Sequence, residues 1–212
     1  MTETEWLAST DPEAMLKILR GKASDRKLRL LASACCRQVG HVLAHQALLN
    51  AIETAERYAD GQARYGEMVQ AAKAVTFFSY SAGETEVVVA GGIWHLVTMG
   101  IWWNFRPIRR TERTILALLN VERHIGSRLA PFLRDIFGNP FRPVSVNQAW
   151  LTSTVIGLAR LMYDSRDFSA MPILADALQD AGCDNDDILN HCRQQGEHCR
   201  GCWCLDLILS KD

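Results

Sequence analysis

The residues best suited to bind a metal lie in one stretch near the end of the chain, CDNDDILNHCRQQGEHCRGCWC, at positions 183 to 204. Cys199 and Cys202 have the Cys-x2-Cys spacing that zinc ligands use. Cys192 precedes them at the end of a predicted helix, and His198 lies beside Cys199. If a metal is bound, we expect its ligands to be drawn from Cys192, His198, Cys199 and Cys202, with His191 as the alternative to His198.

Other observations favour a metal-free tail. Strong zinc sites usually pair two such turns across a longer spacer, and the second pair is missing here. In a final helix, Cys204 shares a face with Leu207 and Ile208, whereas Cys202 falls beside other leucines; free cysteine is a frequent core residue. Seven cysteines, an odd number, do not suggest a disulfide framework. We therefore expect reduced thiols and no cofactor, with zinc as the alternative.

A second histidine pair, His41 and His45, has the i, i+4 spacing that places two imidazoles on one helix face. A metal-dependent enzyme using this pair is one hypothesis, with Glu53 and Glu56 as the nearest carboxylates. The glutamate of an HExxH motif is absent. A hydrogen-bonded pair inside a helical bundle is the favoured interpretation.

The segment WWNFRPIRRTER, residues 102 to 113, interleaves aromatic and arginine residues. This composition is typical of protein-contact hot spots and of platforms for single-stranded nucleic acid. A helix end with buried tryptophans and ion-paired arginines is the structural alternative. The predicted partner-binding residues are Trp102, Trp103, Phe105, Arg106, Arg109 and Arg110.

Composition, the N-terminal sequence and the absence of known motifs narrow the classes of protein to which the chain can belong. The chain has 212 residues, 48% of them hydrophobic and 22% charged, and a formal net charge of −1. These values are ordinary for a globular protein and favour neither nucleic acid nor an anionic membrane. The acidic N-terminus lacks the apolar region of a secretory signal, so we expect a cytoplasmic location. The chain carries no dinucleotide-binding, Walker, nucleophile-elbow or HExxH motif, and we expect no enzymatic activity.

Residues 87 to 105 carry no formal charge and approach the length of a membrane span. They also contain three glycines, His95 and Asn104. We expect a buried helix of a soluble bundle over residues 87 to 103 and no membrane span.

Proline, glycine and capping residues divide the chain into helices, and no strand pattern competes with them. Asp11 and Pro12 start a helix, Ser24 starts the next, and Gly61 and Gly182 follow helix ends. The sequence predicts an all-α bundle of about nine or ten helices. Residues 1–136 form the bundle and residues 145–212 a C-terminal helical subdomain packed on it, although a single domain overall is the favoured description.

Both ends of the chain resemble an uncharacterised bacterial protein family. The resemblance rests on EWLASTDPEAMLKILRGKASDRKLRLLASACCR and AERYADG in the first part of the chain, and on LRDIFGNPFRPV, MPILADALQDAGCDNDDILNHCR and HCRGCWCLDLILSK in the second. The family has no known activity, so the resemblance implies no catalytic residues. Similar chains have valine-like residues at positions 199 and 204, which argues against Cys199 and Cys202 as a metal pair.

From these observations we expect a non-enzymatic intracellular helical interaction module or regulator that acts through protein–protein contacts. The alternative is a nucleic-acid-binding protein that uses the Trp102–Arg113 segment. A metal-dependent enzyme at His41 and His45 is the third hypothesis. The identity of the partner and the oligomeric state do not follow from the sequence.

Overall fold

The structure is a computed structural model that describes residues 1–38, 45–80, 82–98 and 124–211. These residues form eleven α-helices, one short 3-10 helix and no strand, which confirms the predicted all-α class. The helices are α1 (Glu3–Ala8), α2 (Pro12–Leu19), α3 (Asp25–Arg37), α4 (Gln46–Ala59), α5 (Tyr65–Ser79), α6 (Glu84–Val97), α7 (His124–Phe137), α8 (Ser153–Ser165), α9 (Met171–Asp180), α10 (Asp186–Arg193) and α11 (Trp203–Ile208); the 3-10 helix is Gln148–Trp150.

The helix starts follow the capping residues that the sequence indicates. The Asp11 carboxylate accepts hydrogen bonds from the backbone N–H groups of Glu13 and Ala14, and Pro12 is the first residue of α2. Ser24 caps α3 through the N–H of Lys27. Each cap satisfies backbone donors that have no partner within the helix.

Two helix boundaries were not expected. No helix was predicted before Asp11, yet α1 forms because Thr2 and Glu5 make a reciprocal capping box. The start of α8 at Ser153 was not predicted either: the Thr152 side chain accepts the N–H of Val155 and caps the helix there.

The chain forms two compact units, Thr10–Ala130 and a second one composed of Met1–Ser9 and Pro131–Asp212. We call them the N-terminal and the C-terminal unit. Residues 1–9 and 131–136 therefore group with the C-terminal residues, whereas the sequence-based division assigned them to the bundle of residues 1–136. The description of the whole chain as a single domain stays a prediction.

The N-terminal unit packs α3, α4, α5 and α6 against one another. Val89, Ile93 and Leu96 of α6 are fully buried in this packing. The Arg29 guanidinium, which is also buried, donates to the carbonyl of Leu96 at 2.9 Å. No described helix is long and apolar enough to cross a bilayer, and residues 99 to 105 of the apolar stretch lie outside the described ranges.

The C-terminal unit has a core built from α8 to α11. The N-terminal helix α1 is fastened to the end of α7 in the same unit. The indole N–H of Trp6, a fully buried residue, donates to the carbonyl of Gly138 at 3.0 Å. Arg134 donates to the carbonyls of Trp6 and Ser9. These bonds fix the last turn of α7, which carries Asp135.

Candidate metal centre

Asp135 is a buried carboxylate whose two oxygens both have partners in the C-terminal unit. Its Oδ1 atom lies 2.7 Å from Nδ1 of His198 and 3.3 Å from Nε2 of His191. Its Oδ2 atom accepts the backbone N–H of Cys199 at 2.9 Å and the thiol of the same residue at 3.3 Å. Because the Asp135 side chain is only 3% exposed, these four groups replace the water that would solvate a carboxylate at the surface.

His191 lies in the last turn of α10, a helix that Asn185 caps through the N–H of Ile188. Its Nε2 atom lies 3.1 Å from Sγ of Cys202, and its Nδ1 atom lies 3.1 Å from the side-chain amide of Gln194. Nε2 is a metal ligand only when Nδ1 carries the proton. A 180° flip of the Gln194 amide places its oxygen, instead of its nitrogen, next to the proton on Nδ1. Ligand histidines usually donate their second ring N–H to an acceptor of this kind.

The segment from His198 to Cys202 brings the remaining two side chains to the site. The N–H of Cys202 donates to the carbonyl of Cys199 at 3.0 Å and closes a turn. Gly201 has a φ of +95° in this turn, a conformation that favours glycine. Arg200 places its guanidinium 4.8 Å from the ring centre of Tyr163, which holds the turn on the core of the unit.

Together, one nitrogen from each histidine, the Cys202 sulfur and an Asp135 oxygen lie within 4.8 Å of one another. In the described part of the chain, this is the one group of three or more His, Cys, Asp or Glu residues arranged to hold a metal ion. The ligand atoms of a tetrahedral zinc site, with bonds of about 2.0–2.3 Å, lie roughly 3.3–3.8 Å apart. Adjustments of roughly 1 Å in side-chain position would bring the four atoms to that geometry.

No protein-family model, no curated protein and no solved structure matches the chain. This result agrees with the resemblance of its two ends to a family without a known activity.

Burial, hydrogen bonds and neighbouring charges determine which groups of the cluster are ionised. Burial raises the pKa of Asp135, but hydrogen bonds and charge interactions with His191 and His198 outweigh it and hold that pKa well below its usual range. Burial, together with the nearby Asp135 charge, raises the pKa of the Cys202 thiol well above its usual range. Without a cation, the site therefore holds a carboxylate and a protonated thiol.

The four residues named from the sequence as metal ligands do not meet as one set. His198 and Cys202 belong to the cluster, but Cys192 does not: its Sγ atom lies 3.4 Å from Sγ of Cys204, and both thiols are fully buried. Cys199 contacts Asp135 and is not one of the four convergent groups. His191, named as the alternative to His198, is present together with it.

Asp135 is the cluster residue that was not predicted from the sequence. It lies 63 positions before His198, on α7, and nothing in its local sequence distinguishes it from a surface aspartate. Its position in the last turn of α7 is the one local feature that points to a role, because helix ends and loops often carry functional side chains.

The other predicted sites lie largely outside the described ranges. The partner-binding residues 102 to 110 are not among the described residues, and neither is His41. His45 is described: its Nδ1 atom accepts the N–H of Ala47 and caps α4, and its ring packs against Phe78. Glu56, one of the carboxylates considered for that metal site, binds Arg37 through both of its oxygens at 2.7 and 2.9 Å.

Proposed function

We propose that this chain is a zinc-binding helical protein and that the zinc ion is a structural part of its C-terminal unit. The observation that carries the proposal is the convergence of four donor atoms, from Asp135, His191, His198 and Cys202, within 4.8 Å. These donors come from α7, from α10 and from the turn before α11. Three separate segments of the chain meet at this point with the donor chemistry of one ion.

The donor types favour zinc over the common hard cations. Two imidazole nitrogens and a sulfur suit zinc, whereas magnesium and calcium prefer oxygen ligands. Charge supports the same choice. The Asp135 carboxylate and a Cys202 thiolate together carry two negative charges, which offset a divalent cation in a site that has little access to water. Zinc binding would release the thiol proton of Cys202.

Burial supports a structural role for the ion. The side chains of His191, Asp135 and His198 are 8%, 3% and 4% exposed, and Cys202 is fully buried. Four protein ligands complete a tetrahedral shell and leave no position for a water or a substrate, unlike the open shell of catalytic zinc. The ion would hold the turn at residues 198 to 202 against α7 and α10, so a non-enzymatic function accompanies this proposal.

Elemental analysis of protein purified without chelator tests the proposal. We expect close to one zinc per chain in the wild type and almost none in Cys202→Ser. Cys183→Ser is the matched control, because Cys183 is a buried thiol of the same core but not a donor of the cluster. Free zinc at 1,000 times the dissociation constant should stabilise the folded chain by about 4 kcal/mol, measurable as a rise in melting temperature.

Cobalt substitution adds a spectroscopic readout of the ligands. Tetrahedral cobalt with one thiolate ligand should give intense visible bands and a sulfur-to-cobalt charge-transfer band in the near ultraviolet. The charge-transfer band should vanish in Cys202→Ser and persist in Cys183→Ser. Equal zinc retention and equal spectra in these two variants would contradict the proposal.

Protein–protein contact is a second proposal, and it concerns the N-terminal unit. Phe77 of α5 and Tyr80 just after it are 80% and 84% exposed. Aromatic side chains are enriched at protein interfaces, and these two are three positions apart on one side of the helix. Alanine at both positions should leave the melting temperature nearly unchanged and weaken the capture of partner proteins. Unchanged capture would remove the support for this contact.

A further inference from the structure

Cys199 differs in exposure from every other cysteine of the chain. All seven cysteines lie within the described ranges, and six of them are buried, whereas Cys199 is partly exposed. It is therefore the thiol that an oxidant in solution reaches first.

The backbone places Cys199 one turn away from the proposed ligand Cys202. The hydrogen bond from the N–H of Cys202 to the carbonyl of Cys199, 3.0 Å long, closes the turn between them. The Cα atoms at the two ends of such a turn lie less than about 7 Å apart, and disulfides join Cα atoms about 4.4–6.8 Å apart. The turn therefore suits a disulfide between these residues.

Cys199 also contacts the proposed ligand set directly. Its thiol donates to Oδ2 of Asp135 at 3.3 Å, and its backbone N–H donates to the same oxygen at 2.9 Å. A chemical change at Cys199 thus acts on two ligands at once: on Cys202 through the turn and on Asp135 through its oxygen.

We infer that the zinc centre is sensitive to oxidation, and that a hydroperoxide converts Cys199 and Cys202 to a disulfide and releases the ion. This inference rests on the proposed zinc-binding function. Loss of Cys202 as a ligand leaves three donors and one negative charge, that of Asp135, to hold a divalent cation. Affinity for zinc should fall by about 100-fold or more, since even the loss of a group that only supports a ligand costs 10- to 100-fold.

The reaction balances with hydrogen peroxide as the oxidant. The Cys199 thiol loses its proton to solvent, and the thiolate attacks one peroxide oxygen. The O–O bond breaks, hydroxide leaves, and Cys199 becomes a sulfenic acid. The Cys202 thiolate then attacks the Cys199 sulfur, the S–S bond forms and the S–O bond breaks, releasing a second hydroxide. The two thiols lose two electrons, the peroxide gains two, and the hydroxides take up protons to become two waters.

The Cys192–Cys204 pair is the competing disulfide. Its sulfur atoms lie 3.4 Å apart, but both residues are fully buried. Burial shields both of these thiols from an oxidant in solution, whereas Cys199 is partly exposed. We expect this pair to stay reduced while Cys199 reacts.

The test treats zinc-loaded protein with hydrogen peroxide and follows zinc release with a chromophoric chelator. Wild type should release zinc and recover its binding after treatment with dithiothreitol and zinc. Cys199→Ser keeps a hydroxyl donor to Asp135, and its zinc content is measured before oxidation; the zinc that it has loaded should be released at least tenfold more slowly than from the wild type, or not at all. Cys183→Ser is the control and should release zinc at the wild-type rate.

Peptide mapping of the oxidised protein identifies the disulfide with or without zinc, which separates this inference from the proposed function. Absence of zinc before oxidation would overturn both, although mapping would still show which thiols pair. Normal loading followed by wild-type release in Cys199→Ser would overturn the redox inference alone. A Cys192–Cys204 disulfide as the main oxidised product would overturn it as well.

Discussion

The Nδ1 atom of His198 lies 2.7 Å from Oδ1 of Asp135, although 63 positions separate the two residues in sequence. This contact joins the end of α7 to the turn that precedes α11. Both side chains are almost completely shielded from water. The pair therefore stabilises the C-terminal unit even without a metal ion, and it fixes the carboxylate where a cation would need it.

Replacing Asp135 with asparagine should destabilise the chelator-treated protein by about 1–3 kcal/mol near neutral pH, because an amide N–H₂ replaces a carboxylate oxygen that accepts hydrogen bonds from buried donors. The pKa of Asp135 in the folded chain lies below its ordinary value of 3.8. Its stabilising effect is therefore fully present above that value and is lost as the pH falls below it. Urea unfolding of both proteins from pH 7 to pH 2 should show the difference shrinking below pH 3.8. A pH-independent difference would contradict this assignment.

Gly138 follows α7 directly and lies against Trp203, whose ring packs 4.9 Å from that of His191. Its φ is +62°, and a Cβ atom there would lie 3.2 Å from Cγ of Trp203. Gly138→Ala should therefore destabilise the protein by about 1–3 kcal/mol, from backbone strain and from displacement of the indole.

Gly157→Ala is the matched control for this substitution. Gly157 lies in the exposed part of α8, and a methyl group at this position would have no neighbouring atom within 4 Å. Alanine should therefore stabilise the helix by roughly 0.5–1 kcal/mol. Chemical unfolding checks both values, and tryptophan fluorescence should change only in Gly138→Ala. Equal stability of the two variants would show that the Trp203 indole moves aside with no loss of folding free energy.

Local chemistry made much of the fold predictable from the sequence. Asp11, Ser24 and Pro12 are capping and first-turn residues, and their effect depends only on backbone donors two or three positions away. The Cys-x2-Cys spacing likewise pointed to the segment that contributes His198 and Cys202 to the cluster of four. Cys202 and His198 were named for this reason.

Asp135 could not be predicted from the sequence, because its role depends on a contact between distant segments. Cys192 lies outside the cluster of four for a related reason. On α10, Cys192 directs its sulfur toward Cys204, whereas its neighbour His191 reaches Asp135 and Cys202. Adjacent residues of a helix point about 100° apart, and spacing alone does not show which of them faces the site.

The Arg37–Glu56 pair should be a main source of stability in the N-terminal unit. Glu56 is 2% exposed and Arg37 is 32% exposed in their side chains. Arg37→Ala would remove the guanidinium that binds both oxygens of a buried carboxylate and should cost about 2–3 kcal/mol, less than a fully buried pair because Arg37 is partly solvated. Arg37→Lys should recover only part of this loss, since lysine cannot bind both carboxylate oxygens in a fork. Full recovery by lysine, measured by urea unfolding, would show that charge alone matters.

The Cys192–Cys204 contact allows the effect of core packing on stability to be distinguished from the effect of metal binding. Both sulfurs are buried and 3.4 Å apart, outside the four convergent donors. Cys192→Ala should lower the stability by about 1–2 kcal/mol through the lost sulfur contacts, while zinc content stays at the wild-type level. Cys202→Ala removes a sulfur of the same size from the same core and should abolish zinc binding. Elemental analysis and urea unfolding of the two variants, side by side, provide the measurement. Loss of zinc in Cys192→Ala, with zinc retained in Cys202→Ala, would restore Cys192 as the ligand and require a different arrangement of the site.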